Sequence, residues 1–151
     1  MKKGDQLPQF EARDQHDQIV KSTDLLDGNY LVVYFYPKNF TPGCTREACG
    51  FRDQFDDLSD AGARIVGVSR DSVSSHQRFS KRYRLPFVLL SDPNGRIAKK
   101  FNVKNTMLGL LPGRETFIFD PQGKLMFHLR SMAADPHIRR AVQLIKDNVA
   151  V

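Results

Sequence analysis

Six consecutive apolar residues, Leu31-Val32-Val33-Tyr34-Phe35-Tyr36, lie between the turn residues Asp27-Gly28-Asn29 and a break at Pro37. An apolar run that does not alternate predicts a strand covered on both faces. Such a strand needs a sheet with helices above and below it. The rest of the chain supplies those parts. Arg64-Ile65-Val66-Gly67-Val68-Ser69, Pro86-Phe87-Val88-Leu89-Leu90 and Thr116-Phe117-Ile118-Phe119 read as further strands. Asp120-Pro121-Gln122-Gly123-Lys124 turns the last of these into Leu125-Met126-Phe127-His128-Leu129. A helical pattern follows Cys44, with Phe51, Phe55 and Leu58 on one face and a glycine stop near Ala61-Gly62. Asp71 or Ser72 caps a second helix running through Arg78, Phe79 and Tyr83. Ser91–Gly95 opens a turn or helix carrying Ile97, Ala98 and Phe101. Pro136–Val149 closes the chain with Ile138, Ala141, Val142, Ile145 and Val149 on one face. Leu7–Lys21 predicts a short hairpin over one end, and Ser22–Leu26 a turn of helix after it. Lys104–Pro112 reads as a loop. The expected fold is α/β: a central mixed sheet with helices on both faces and an N-terminal hairpin. Early crossovers give parallel pairing and the late hairpin antiparallel pairing. With 151 residues, no repeats and no low-complexity linker, one domain spanning 1–151 is expected.

The chemistry is concentrated just after the central strand. Pro37–Cys49 contains both cysteines of the chain. Cys44 falls where a strand ends and a helix begins. The first N–H groups of a helix lack internal partners and its dipole favours negative charge there, a setting that suits a nucleophilic thiolate. Cys49 lies five residues on. On one continuous helix that is about 7.5 Å along the axis, with the side chains pointing about 140° apart. A disulfide needs Cα atoms within roughly 7 Å, so the two cysteines bond only if the first turns unwind. The C-x₄-C spacing differs from a C-x-x-C redox pair. Two cysteines with the scattered histidines His16, His76, His128 and His137 do not make a structural zinc site. No histidine is assigned as a ligand or base.

The string Tyr36-Pro37-Lys38…Thr41-Pro42-Gly43-Cys44-Thr45…Glu47-Ala48-Cys49-x-Phe51-Arg52-Asp53 resembles the active-site signature of peroxiredoxins, and in its extended form the PrxQ or bacterioferritin comigratory subfamily. The likeness covers nearly the whole chain. It implies a thioredoxin-like fold and a thiol-dependent peroxidase acting on hydrogen peroxide and organic hydroperoxides, with no metal, haem or flavin. It implies that Cys44 is the peroxidatic nucleophile, oxidised to a sulfenic acid. Cys49 would be the resolving residue that captures it as an intramolecular disulfide, which thioredoxin or another dithiol then reduces. Read from residues alone, Cys49 is equally a small buried hydrophobe.

The same resemblance marks Arg114, ahead of Glu115-Thr116-Phe117-Ile118-Phe119-Asp120, as the cation beside the sulfur. Without it, Arg114 is a surface arginine before a strand. Pro37 matches the family proline and would shape the site. Thr41 has a hydroxyl able to bond peroxide or thiol, and it also stands in turn chemistry, Phe40-Thr41-Pro42-Gly43. Pro42 and Gly43 would let backbone N–H groups face the substrate. Glu47 either organises local hydrogen bonds or simply favours the helix dipole. Arg46 and Arg52 read as surface or structural, and Tyr34 and Tyr36 as strand packing. Met107, Leu108, Leu110 and Leu111 make an apolar loop that either walls the substrate entrance or packs on the core.

The formal charge is +6. The basic residues are spread along the chain and interrupted by Asp53, Asp56, Asp57 and Asp60, which fits a solvated surface rather than a nucleic-acid interface. No apolar run approaches the ~18 residues of a membrane span, and the basic start at Met1-Lys2-Lys3 has no apolar segment behind it. The expectation is a cytoplasmic protein without membrane or nucleic-acid partners, and the resemblance implies a monomer. Two other classes remain open: a thiol–disulfide oxidoreductase on the same fold, and a non-enzymatic redox sensor that passes oxidation to a partner.

Overall fold

The computed structural model describes residues 1–106, 109 and 111–149, Val149 by its backbone alone. Met107, Leu108 and Leu110, and with them the reading of an apolar entrance wall, lie outside the described residues. So does the Val149 side chain expected on the last helix.

In chain order, β1 (Glu11–Arg13) and β2 (Ile19–Lys21) form the N-terminal hairpin and α1 (Ser22–Leu26) the short helix after it. The central strand is β3 (Tyr30–Phe35). Then come α2 (Pro42–Asp53), α3 (Phe55–Asp60), β4 (Ala63–Ser69), α4 (Val73–Tyr83), β5 (Val88–Ser91) and α5 (Arg96–Lys100). The two-residue strands β6 (Asn105–Thr106) and β7 (Leu111–Pro112) precede β8 (Glu115–Phe119), β9 (Leu125–Arg130) and α6 (Asp135–Val149).

Seven strands make one sheet in the order β2-β1-β5-β4-β3-β8-β9. Strands β3, β4 and β5 run parallel, while β8, β9 and the N-terminal hairpin add antiparallel strands at the two edges. Three expectations change in detail. The hairpin extends the sheet instead of covering an end, because Arg13 pairs with Ser91 of β5. The segment read as a loop from Lys104 to Pro112 contains a paired strand, Asn105 with Pro112 and Thr106 with Leu111. The helix predicted from Cys44 to Ala61 is two helices broken at Gln54. The break redirects the chain so that α3 packs onto β4, with Leu58 in the same cluster as Ala63 and Ile65.

The side-chain alternation of β3 divides the core in two. Leu31, Val33 and Phe35 face one cluster with Ile97, Ala98 and Phe101 of the α5 segment and Phe117 and Phe119 of β8. Val32, Tyr34 and Tyr36 face the other, with Cys44, Ala48 and Phe51 of α2, Phe79 of α4, and Ala141 and Ile145 of α6. Cys44 therefore belongs to the tyrosine face. Tyr34 stacks on Tyr36 and on Phe51, with ring centroids 5.4 and 4.8 Å apart. It has room to do so because Gly67 lies beneath it: a Cβ there would meet the Tyr34 hydroxyl at 2.9 Å.

The chain leaves β3 through a segment tied down by Asn39, which is buried. Its Oδ1 accepts from the Tyr36 hydroxyl at 2.6 Å, and its Nδ2 donates to Ser75 Oγ at 3.1 Å and to His76 Nδ1 at 2.9 Å. Its backbone N–H donates to Asp71 Oδ2 at 2.9 Å. His76 in turn donates from Nε2 to the Leu90 carbonyl at 2.9 Å. Asp71 thus anchors the segment, while Ser72 caps α4 by accepting from Ser75 N. These bonds hold Phe40 at a φ of +66°, unusual for an aromatic residue. Its ring packs edge-on against Phe79 at 5.1 Å.

Two expected outcomes follow from this packing. Gly50 lets α2 approach α6, since a methyl group there would run into the Ile138 side chain. Gly50→Ala should lower stability by about 1–3 kcal/mol in denaturant titration despite alanine's better helix propensity, and Ile138→Val should recover part of the loss. Burial holds His76 below the usual imidazole range, and Nδ1 must stay unprotonated to accept from Asn39. Below about pH 6.5 the unfolded chain takes up a proton that the folded chain refuses, so the contribution of His76 fades as pH falls. The stability gap between wild type and His76→Gln should therefore narrow between pH 7.5 and 5. An unchanged gap would mean that His76 accepts its proton in place.

Candidate active site

The start of α2 is built from its own residues. Thr41 is its N-cap in extended conformation, and Pro42 takes a first-turn position where its missing N–H costs nothing. The ladder begins with Thr45 N donating to the Thr41 carbonyl at 2.9 Å. Cys44 lies in this first turn and is 1 % exposed. Cys49 is half-buried on the same unbroken helix. Both are free thiols, as the helical geometry of the pair requires.

Arg114 comes from the approach to β8 and meets this turn. Its guanidinium is gripped on two sides. Nε donates to the Met132 carbonyl at 3.0 Å, and Nη1 donates to Glu47 Oε1 at 2.5 Å. The remaining arm, Nη2, donates to Cys44 Sγ at 3.4 Å. Arg114 is 4 % exposed and Glu47 0 %. A planar fork held at two corners has little freedom left for the third. Gly43 makes the approach possible, because a Cβ there would stand 2.9 Å from Nη2. The Gly43 position was expected to turn backbone N–H groups to the substrate; its observed contribution is the space that the guanidinium fills.

The charges in this cluster are not equally easy to hold. Burial alone would lower the Arg114 pKa, but the charges and hydrogen bonds of Glu47 and Cys44 outweigh it and the guanidinium stays protonated. Burial pushes the Glu47 carboxyl up to about 8, against the attraction and hydrogen bond of Arg114. The reason is visible in its second oxygen: Oε2 is buried with no hydrogen-bond partner among the described residues. The atom opposite it is His137 Nδ1, 3.9 Å away. His137 is fully buried. Its Nε2 donates to the Ser131 carbonyl at 2.7 Å, and its Nδ1 accepts from the Thr116 hydroxyl at 2.7 Å. Burial holds the imidazole below its usual range, so it is neutral.

Of the residues singled out in the sequence, the structure brings Cys44, Glu47 and Arg114 into contact. Thr41 stands at the helix cap with its hydroxyl donating to the Lys38 carbonyl at 2.8 Å, and Pro37 is half-buried where the chain leaves β3. Cys49 lies away from the cluster along α2. Arg46 pairs with Asp135 at the start of α6 through bonds of 2.8 and 2.7 Å, and Arg52 donates to the Tyr83 carbonyl at 2.8 Å. Tyr36 spends its hydroxyl on Asn39, while that of Tyr34 is buried without a partner among the described residues. Burial pushes both phenols well above their usual range.

Sequence reasoning passed over Asn39, Thr116 and His137. For His137 a signal existed. His137, Ala141 and Ile145 are spaced i, i+4, i+8, which is the inward stripe of α6, and all three are fully buried. Glu47 likewise falls on the stripe Cys44, Glu47, Ala48, Phe51, the buried face of α2. The expected outcome for this geometry concerns Gly43. Gly43→Ala should slow oxidation of Cys44 by hydrogen peroxide about tenfold or more, because the guanidinium must retreat. Its melting temperature should fall as well, since the guanidinium cannot retreat without loosening its buried bonds to Glu47 and Met132. A wild-type rate in single-turnover measurements would contradict this.

Comparison with known proteins agrees with the geometry. Residues 3–128 match the AhpC/TSA family. A chloroplastic peroxiredoxin Q of Sedum lineare is 41 % identical over 145 residues, covering 95 % of this chain and 77 % of its own length. Peroxiredoxin Bcp of Bacillus subtilis is 39 % identical over 151 residues, covering 95 % of this chain and 94 % of its own. Among solved structures, peroxidoxin BcpB of Mycobacterium tuberculosis superposes with a TM-score of 0.90 at 36 % identity, covering 97 % of both chains. A bacterioferritin comigratory protein of Xanthomonas campestris, solved in connection with its alkyl peroxide reduction activity, superposes with a TM-score of 0.86 at 30 % identity, covering 96 % of this chain and 99 % of its own. The thioredoxin-like arrangement of sheet and helices is thus shared along nearly the whole length, and the chain belongs to the AhpC/TSA family, with peroxiredoxin Q and Bcp proteins among its relatives.

Proposed function

We propose that this chain is a single-domain thiol peroxidase in which Cys44 reduces hydrogen peroxide and organic hydroperoxides. The observation that carries the reading is the buried Cys44 sulfur in the first turn of α2, receiving a hydrogen bond from a guanidinium whose other two corners are already held. The thiolate attacks the terminal oxygen of the hydroperoxide. An S–O bond forms as the O–O bond breaks, and the departing alkoxide or hydroxide takes a proton to leave as alcohol or water. Arg114 faces the sulfur and the place where this charge shifts, which is where a fixed cation lowers the barrier most. Thr41 and Pro37 border the approach in this reading: the Thr41 hydroxyl donates to the Lys38 carbonyl and so offers its oxygen as an acceptor to the peroxide O–H, while Pro37 shapes the wall. Alkyl peroxide reduction by the Xanthomonas campestris relative supports the organic substrates.

Cys49 resolves the sulfenic acid. Its sulfur attacks Cys44, an S–S bond forms and water leaves. The first turn of α2 must open for this. Two features make that opening cheap: Gly43 is a weak helix former, and the tie between Arg46 and Asp135 is largely exposed, where ion pairs contribute little. A dithiol such as thioredoxin then reduces the disulfide by exchange. The protein works as a cytoplasmic monomer in this reading. Among the described residues no helix is long and apolar enough to cross a membrane.

The test is hydrogen peroxide consumption with thioredoxin, thioredoxin reductase and NADPH for wild type, Cys44→Ser and Cys49→Ser. Turnover should vanish in both variants, with one fast oxidation step surviving only in Cys49→Ser. Full turnover in Cys49→Ser would leave Cys49 a packing residue and make this a one-cysteine enzyme. Absence of any peroxide reaction in wild type, together with insulin reduction, would favour a thiol–disulfide oxidoreductase.

A further inference from the structure

The guanidinium of Arg114 is aimed by two acceptors, and they differ in how they are themselves held. Glu47 is carried by the rigid inner face of α2. The other acceptor is the Met132 carbonyl, in the irregular turn between β9 and α6, with the Met132 side chain 59 % exposed. A carbonyl in such a turn needs anchoring if it is to aim a catalytic group. Four bonds anchor it. Ser131 N donates to the Arg114 carbonyl at 3.2 Å, and Ala133 N to Ser131 Oγ at 3.3 Å. His137 N donates to the Ala134 carbonyl at 3.1 Å, and His137 Nε2 to the Ser131 carbonyl at 2.7 Å. The last is the shortest, and it joins the residue immediately before Met132 to a fully buried side chain.

That side chain has a determined protonation pattern. The Ser131 carbonyl can only accept, so Nε2 carries the proton, and Nδ1 then accepts from the Thr116 hydroxyl. Thr116 is itself fully buried in β8, next but one to Arg114. A closed path results: Arg114, Met132, Ser131, His137, Thr116 and back along β8 to Arg114. We propose that His137 is a positioning residue for peroxide reduction, wired between Thr116 and the Ser131 carbonyl so that the Met132 carbonyl holds the guanidinium of Arg114 on Cys44. His137 touches neither sulfur nor substrate; it acts through the turn. The inference rests on the peroxidase reading above, in which the aimed guanidinium serves the transition state.

The test compares two reactions of Cys44 in the full chain. Oxidation by hydrogen peroxide needs the aimed guanidinium, whereas alkylation by iodoacetamide needs only an accessible, ionised sulfur. In His137→Leu, single-turnover peroxide oxidation should slow by about ten- to a hundredfold, and alkylation by no more than about threefold. His137→Gln can donate from its amide nitrogen to the Ser131 carbonyl and accept from Thr116 with its oxygen, and it should restore most of the peroxide rate. Thr116→Val removes the hydroxyl alone with little change of volume; it should show the same split to a smaller degree, and it carries the test if His137→Leu does not fold. Peroxide rates equal to wild type in Thr116→Val and in whichever His137 variant folds, or equal losses in both reactions, would overturn the inference while leaving the peroxidase reading intact. A wild type that does not react with peroxide would overturn both.

Discussion

The candidate site is built around a buried contact, the Arg114 guanidinium with the Glu47 carboxyl. Taking both charges out of water costs several kcal/mol for each, and the attraction between them offsets this only when the remaining hydrogen-bonding atoms are also satisfied. Arg114 comes close: each of its three donor positions has a named acceptor. Glu47 does not, because one carboxylate oxygen is left bare. The neighbouring Glu115 shows the contrast. Burial raises the pKa of that carboxyl too, but hydrogen bonds from His128 and from the Lys104 backbone, with the charge of Arg130 nearby, outweigh it and the net shift is downward. Two buried glutamates in one chain thus end on opposite sides of their usual value, and the difference is how many donors reach them. The one held less comfortably is the one that grips Arg114 beside Cys44.

Several parts of the fold exist in the form they do because of this pair. Gly43 is without a side chain where Nη2 passes, and Gly50 lets α6 lie close against α2. The turn before α6 supplies a backbone carbonyl to the guanidinium, and the inner stripe of that helix supplies His137. Each comes from a different stretch of chain, and the sheet brings them together: β3 delivers Cys44 from one side and β8, its antiparallel neighbour, delivers Arg114 from the other. Pairing of Phe35 with Glu115 places the end of one strand beside the start of the next. The site is therefore a consequence of strand register as much as of the residues themselves.

The resolving step proposed for Cys49 would add an opposing demand. In that reading the turn that holds Cys44 is ordered while peroxide is bound and opens afterwards. Asn39 answers the first requirement from outside the helix, fixing the segment before Thr41 with bonds to α4 and to the loop ahead of it. Gly43 answers the second from within, being poor at continuing a helix once it begins to fray. Stability is thus placed on the segment that leads into the helix and withheld from the helix's own first turn.

Local patterns were sufficient for much of this. The unbroken apolar run of β3 called for a sheet covered on both faces, and the change from period 2 to period 3.6 around Cys44 put the thiol at a helix start. Those patterns are short-range and are written directly in neighbouring residues. The family string around Cys44 pointed to the chemistry, and Arg114 was reached only through it, since nothing near Arg114 in the chain says that it turns inward. Where prediction slipped, the cause was contact between distant segments: α3 breaks away at Gln54 to meet β4, and the N-terminal hairpin finds an edge at Ser91. The roles of Asn39 and His137 belong to the same class. Each is a polar side chain with partners far along the chain: Ser75 and His76, 36 and 37 positions away, for Asn39, and Thr116, 21 positions away, for His137. Sequence alone determined the strand, the helix start and the thiol between them, because each depends on backbone and hydrophobic preferences of adjacent residues. Only the tertiary structure decided which buried charges and hydrogen bonds surround that thiol, because desolvation forces every buried polar atom to find a partner wherever the fold supplies one.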